Sequence, residues 1–175
     1  MSSIIKVDQI QKANGATPTA ADLGINVTGT VLQYQYKDGI QASGSGSFST
    51  SATTLVDFTD HYVDITPTSA SSILVWKAKF IANSNVQSGY ARFAVRDTNA
   101  NSQWSSNTYM GAFGYDVPAA GFYDVSLGHT NTAGTTNTMR LQLQVQMRPG
   151  AGGGTFTNSW SDSDTRTIEV FEIAG

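Results

Sequence analysis

Met139-Arg-Leu-Gln-Leu-Gln-Val-Gln-Met147 alternates without a break: Met139, Leu141, Leu143, Val145 and Met147 fall on one side, Arg140, Gln142, Gln144 and Gln146 on the other. A strand turns successive side chains to opposite faces, so this period of two predicts a β-strand with one face in a core. The pattern recurs through the chain from Thr30 onward. Leu74, Trp76, Ala78 and Phe80 share a side opposite Lys77 and Lys79; Leu32, Tyr34 and Tyr36 share one; Ala91, Phe93 and Val95 share one opposite Arg92 and Arg96. Further strands are expected at 55–65, 107–115, 121–129, 155–160 and 165–173. Turn chemistry separates them, as in Lys37-Asp38-Gly39, Thr66-Pro67-Thr68, Asp97-Thr98-Asn99 and Pro149-Gly150. Eight or nine short strands with no 3.6-residue period predict an all-β, jelly-roll-like antiparallel sandwich over 30–175.

Residues 1–29 read differently. Ile4, Ile5, Val7 and Ile10 make a short strand-like piece, Lys12-Ala13-Asn14-Gly15 is a turn signal, and 17–24 could hold one helical turn. So little apolar surface cannot form a domain alone, so the segment is expected to be an arm that gains order by lying on something else.

Composition narrows the function. Only 13% of the 175 residues are charged and the net charge is −3, while Ser, Thr, Asn, Gln and Gly supply 77 of them. That balance gives no electrostatic footprint for nucleic acid or an anionic membrane. With no cysteine, thiol catalysis and zinc–thiolate sites are excluded. No apolar run approaches the roughly 18 residues that span a bilayer, and no signal peptide is visible at the start. Neutral amides desolvate at lower cost than charges. The row Gln142, Gln144 and Gln146 is therefore a candidate subunit interface, covered by sister copies in a homotrimer.

Candidate chemistry is sparse. His61 lies among Asp57, Asp60 and Asp64, but on a strand it points away from Asp60 and Asp64 and shares a side with Val63 and Ile65. His129, in Gly128-His129-Thr130-Asn131, is expected in an exposed loop. Gly44-Ser45-Gly46 lacks the strand-to-helix setting of a nucleophile elbow, and Gly150 to Gly154 lacks the ending of a phosphate-binding loop. Asn158, Asp162 and Asp164 offer oxygen ligands without the spacing of a calcium loop. No catalytic residue, metal or cofactor is expected. Trp104, Tyr109 and Trp160, flanked by polar residues, are candidate outward, receptor-facing side chains: an aromatic face beside amides and hydroxyls suits a sugar.

Asp57-Phe-Thr-Asp-His-Tyr-Val-Asp-Ile-Thr-Pro-Thr-Ser-Ala-Ser-Ser-Ile-Leu-Val75, then Val95-Arg96-Asp97, and the ending Arg166-Thr-Ile-Glu-Val-Phe-Glu-Ile-Ala-Gly175 resemble a recurrent domain of tailed-bacteriophage virion proteins, common in cyanophages under tail-fibre names. Ser3-Ile-Ile-Lys-Val-Asp-Gln-Ile10 resembles the N-terminal segment of such fibres. Members often carry Lys before the aliphatic run, whereas here Ser72 is followed directly by Ile73. The resemblance implies a trimeric β-sandwich on the outer surface of a virion, on head or tail, assembled in the host cytoplasm and attached through its N-terminal segment. An arm of about 29 residues leaves no room for a long shaft. The expected role is thus a short trimeric fibre, an appendage or a decoration subunit, docked through Ile4, Ile5, Val7 and Ile10 onto another virion protein. The alternatives are a host-surface glycan-binding adhesin and a capsid cement protein.

Overall fold

The computed structural model describes residues 11–18, 28–38, 48–84, 90–105, 111–113, 123–148, 155–158 and 167–175. Eleven strands occur among them: β1 (Val31–Asp38), β2 (Phe48–Thr50), β3 (Val56–Ile65), β4 (Ile73–Ser84), β5 (Tyr90–Asp97), β6 (Ser102–Gln103), β7 (Gly111–Phe113), β8 (Tyr123–Thr132), β9 (Met139–Arg148), β10 (Phe156–Asn158) and β11 (Thr167–Ile173). No helix occurs among the described residues.

The strands form two antiparallel sheets. One runs β1-β11-β4-β8, with β10 and β2 continuing beside the last residues of β4; the other runs β3-β9-β5, with β6 and β7 both beside β5. Strands β3, β4 and β5 alternate between the sheets, and so do β8, β9 and β11. This winding is that of a jelly roll, as the sequence predicts. The surplus over nine strands comes from interrupted lanes. Asp38 pairs with Thr167 and Phe48 with Asn158, so β1 and β2 share one lane and β11 and β10 the next. Likewise Arg96 pairs with Gln103 and Phe93 with Gly111, so β6 and β7 follow one another along β5.

The core lies between the sheets and follows the alternation. Trp76, Phe80, Ile168 and Val170 come from the first sheet, and Phe58, Ile65, Phe93, Leu141, Leu143 and Met147 from the second, all nearly or wholly buried. Phe80 sits at the centre, edge-on to Phe58 at 5.5 Å and to Phe93 at 5.6 Å between ring centroids. Offset or perpendicular rings are the favoured packing of aromatic quadrupoles.

One end of the sandwich is stitched by backbone bonds between turns. Gly29 N–H donates to the Ala174 carbonyl and Ala174 N–H to that of Thr30, both at 2.9 Å; Ala133 N–H donates to Ser72 and Gly134 N–H to Ala70. Within residues 11–18 the expected turn forms, with Gly15 N–H on the Lys12 carbonyl at 2.8 Å and Gly15 at φ 82°, where a Cβ would be strained. Ile4, Ile5, Val7 and Ile10 lie outside the described residues.

Candidate functional site

The second sheet carries the glutamine row on its outer face. Between Asp57, paired with Gln144, and Tyr62, paired with Gln142, strand β3 carries four residues opposite a single position of β9. This bulge leaves backbone carbonyls with no ladder partner. Gln142, buried, fills the gap: its amide donates to the carbonyls of Phe58 and His61. Gln144, also buried, donates to Asp57 Oδ1 at 2.8 Å, and Gln146 donates to the Thr53 carbonyl. These partners belong to the same chain. The three amide donors are therefore satisfied within the subunit, whereas the buried Gln144 Oε1 has no hydrogen-bond partner among the described residues. Arg140 makes a bidentate pair with Asp64 at 2.8 and 2.9 Å, the arrangement that holds its guanidinium above its usual value. Its Cζ lies 4.2 Å from the Tyr62 ring, and Lys37 Nζ of β1 lies 3.6 Å from the same ring. Two cations on one aromatic ring join the edges of the two sheets.

His61, His129, Trp76 and Trp104 pack within the fold. His61 lies on the core side with Val63 and Ile65, as expected, and stacks on Phe58 at 3.6 Å between ring centres. His129 is not in a loop. It is part of β8, paired in register with Trp76, and meets Trp104 edge-on at 5.1 Å. Burial holds its imidazole below the usual value. Trp104 is buried and belongs to the core, so the expectation that it faces outward is overturned. The short strand β6 leads into it, Trp104 N–H donates to the Val95 carbonyl, and its own carbonyl accepts from Asn131 at 2.8 Å. A two-residue strand in a polar run carries no periodicity, so only the sheet pairing reveals the burial. The indole N–H groups of Trp76 and Trp104 and the Nε2 of His129 find no hydrogen-bond partner among the described residues.

Buried carboxylates serve the fold as well. Glu172 of β11 is wholly buried and accepts from Gln33 Nε2 at 2.6 Å and from both the N–H and hydroxyl of Thr68 at 2.7 Å. Burial alone would raise its carboxyl. The neighbouring hydroxyls of Ser72 and Thr68, the Gln33 amide and the Thr68 N–H outweigh burial and hold it at about 2. The Ser72 hydroxyl acts from outside normal hydrogen-bond geometry. Asp97, buried, accepts from Asn99 N–H and Arg140 N–H and pins the turn after β5 to β9. Asn101 in that turn has φ 53°, which Asn tolerates, and accepts from Arg96.

The outer face of the first sheet has the opposite character. Val31, Leu32, Tyr34, Tyr36 and Ile73 are the exposed large apolar side chains among the described residues, between 37% and 54% open. A register shift at Leu32 breaks the alternation, so that Val31 and Leu32 both reach the surface. Tyr34 packs on Phe171 at 4.7 Å and on Tyr36 at 6.1 Å. Partial burial, then the hydrogen bond and charge of Glu169, raise the Tyr34 phenol.

Tyr109 and Trp160, with Asp162 and Asp164, lie outside the described residues. No group of three His, Asp or Glu suited to a metal occurs among the described residues. No helix there is long and apolar enough to cross a membrane.

No family model and no curated protein matches the chain. Among solved structures, it is similar to T=1 particles derived from infectious bursal virus, with a TM-score of 0.47 and 10% identity over 83% of this chain and 37% of that one. It is also similar to the VP2 subviral particle of infectious bursal disease virus, with a TM-score of 0.44 and 10% identity over 82% and 42%. The chain thus spans about two fifths of the length of these structures. Strand pairing within the chain alone defines the fold.

Proposed function

We propose that this chain is a non-enzymatic structural subunit of a tailed-phage virion, a short trimeric fibre, appendage or surface decoration docked through residues 1–29. One observation carries the reading. The buried reactive groups among the described residues hold the fold: His61 stacks on Phe58, Glu172 is capped by Gln33 and Thr68, and Asp97 accepts two backbone N–H groups. Among the described residues these groups are committed to the fold, and two levels of the first sheet's outer face carry exposed apolar side chains, which suits assembly better than turnover. The phage-like motifs of the sequence supply the virion setting. With Trp104 buried, a glycan-binding role would fall to Tyr109 and Trp160.

The test is assembly of particles with a chain lacking residues 2–24. Loss of the subunit from purified particles, with the truncated chain still folded and still multimeric in solution, is the expected result. Incorporation at the wild-type level would remove the docking role. A particle preparation of the native phage in which antibody labelling finds no copy would remove the virion role itself.

A further inference from the structure

Strand register lays the outer face of the first sheet out as a grid. Across β1, β11 and β4 the first level reads Val31, Ile173, Ile73 and the next reads Tyr34, Phe171, Val75, bordered on β8 by Thr132 and Thr130. Leu32 is the added residue of the bulge. These two levels hold no charged side chain. The third level reads Tyr36, Glu169, Lys77 and Gly128, and there Lys77 and Glu169 face each other at 3.9 Å. On β4 the run Ile73-Leu74-Val75-Trp76 is apolar on both faces, the pattern of a strand covered on both sides.

We infer that this face is where one copy of the chain meets the next. The inference rests on the self-association in the proposed function and adds its location, since the amide donors of the glutamine row are already engaged within the subunit. Area is the first argument. Four strands at about 4.8 Å spacing, with the three levels from Ile73 to Lys77 spanning five residues at about 3.4 Å each, give roughly 19 Å by 17 Å, or about 320 Å² in plan. A contiguous patch of that size, apolar but for one Lys–Glu pair, marks a contact site on a subunit. Charge is the second. Lys77 and Glu169 neutralise each other within one chain and Lys79 lies a level further on, opposite Thr167, so the two uncharged levels can meet a copy of themselves without like-charge opposition. Tyr34, Tyr36 and Phe171 at the centre are the residue types that anchor interface cores. The N-terminal segment is a poorer cover. As a strand, Ile4-Ile5-Lys6-Val7-Asp8-Gln9-Ile10 offers Ile5 and Val7 on one side and puts Lys6 and Asp8 with Ile4 and Ile10 on the other.

The test is the mass of the full chain in solution by light scattering. The wild type should give a mass of more than one subunit, and Tyr34→Lys one mass with an unchanged far-UV spectrum. Because the chain has no cysteine, Leu32→Cys supplies a second measurement: maleimide labelling at associating concentration should be at least tenfold slower than after dilution. A wild-type multimer that persists in Tyr34→Lys, with Leu32→Cys labelled at one rate throughout, overturns this location and leaves the multimeric reading standing. A wild type of one mass overturns both. Dissociation on deleting residues 2–10 alone assigns the face to the N-terminal segment and overturns the second-copy inference.

Discussion

The two sheets bury their inner sides in the same way and finish their outer sides in opposite ways. On the second sheet the outer side is polar, yet its donors are committed to the same chain: Gln142 to the bulge carbonyls, Gln144 to Asp57, Arg140 to Asp64. On the first sheet the outer side carries an exposed apolar patch beside the Lys77–Glu169 pair, with Tyr34 in contact with both Tyr36 and Phe171. A polar row does not by itself mark a wetted or shared surface. What decides is whether backbone groups nearby need its hydrogen bonds, and on this fold a bulge supplies that need on one face alone.

The largest effect that could break this contrast lies at Gln142. Gln142→Met keeps the volume and removes the donor, leaving the Phe58 and His61 carbonyls buried without it. An unsatisfied buried group costs about 1–3 kcal/mol, so the variant should lose about 2–3 kcal/mol in urea denaturation. On the first sheet, Tyr34→Ser should change the stability of the isolated subunit by less than about 1 kcal/mol, because the side chain is 46% exposed. Equal losses at the two positions would erase the distinction between the faces.

How much of this was legible in the sequence differs between the faces for the same reason. The alternation of 139–147 predicts strand β9 and its inner side residue by residue, and the parity of 61–65 puts His61 on the core side. The sequence also shows Gln142, Gln144 and Gln146 to be neutral and aligned. A neutral amide is equally suited to a sister copy and to an orphan carbonyl, and the bulge that engages Gln142 leaves no mark in the period of 55–65. Trp104 is hidden for a related reason: two strand residues among Asn, Ser and Gln look like a loop until β5 is beside them. Leu32, Tyr34 and Tyr36 are visible as one side of a strand. Their joining with Phe171, Val75 and Ile73 depends on β11 lying between β1 and β4, a non-local pairing that no single sequence displays.

Acid should act on two groups of the inner side of the first sheet, Glu172 and His129. The Glu172 carboxyl is held at about 2 in the fold, against an ordinary value of 4.5. The unfolded chain therefore binds the proton first as pH falls. The contribution is complete above about pH 4.5 and is lost between there and pH 2, with a slope of up to about 1.4 kcal/mol per pH unit. Glu172→Gln should flatten that part of the curve. His129 adds a separate step with the same sign: burial lowers its value below 6.5, so the unfolded chain binds its proton first, and stability declines as pH falls below about 6.5. In His129→Gln that upper step should disappear while the lower one remains. A stability curve flat from pH 7 to 3 would contradict both assignments.

The smallest effect belongs to the most conspicuous contact on the polar face. Arg140 and Asp64 pair bidentately, yet both side chains are about 40% exposed, and exposed pairs return little because water already solvates each charge. Asp64→Asn should cost less than about 1 kcal/mol, and the difference from wild type should shrink as salt is raised from 0.05 to about 0.5 M, where the screening length falls well below 10 Å. Gln142→Met should show no such dependence, since its loss is of buried neutral hydrogen bonds. A salt-insensitive loss above about 2 kcal/mol at Asp64 would mean that the cation pair around Tyr62, with Lys37 on one side and Arg140 on the other, carries the joint between the sheet edges. The bulge would then be secondary to that joint.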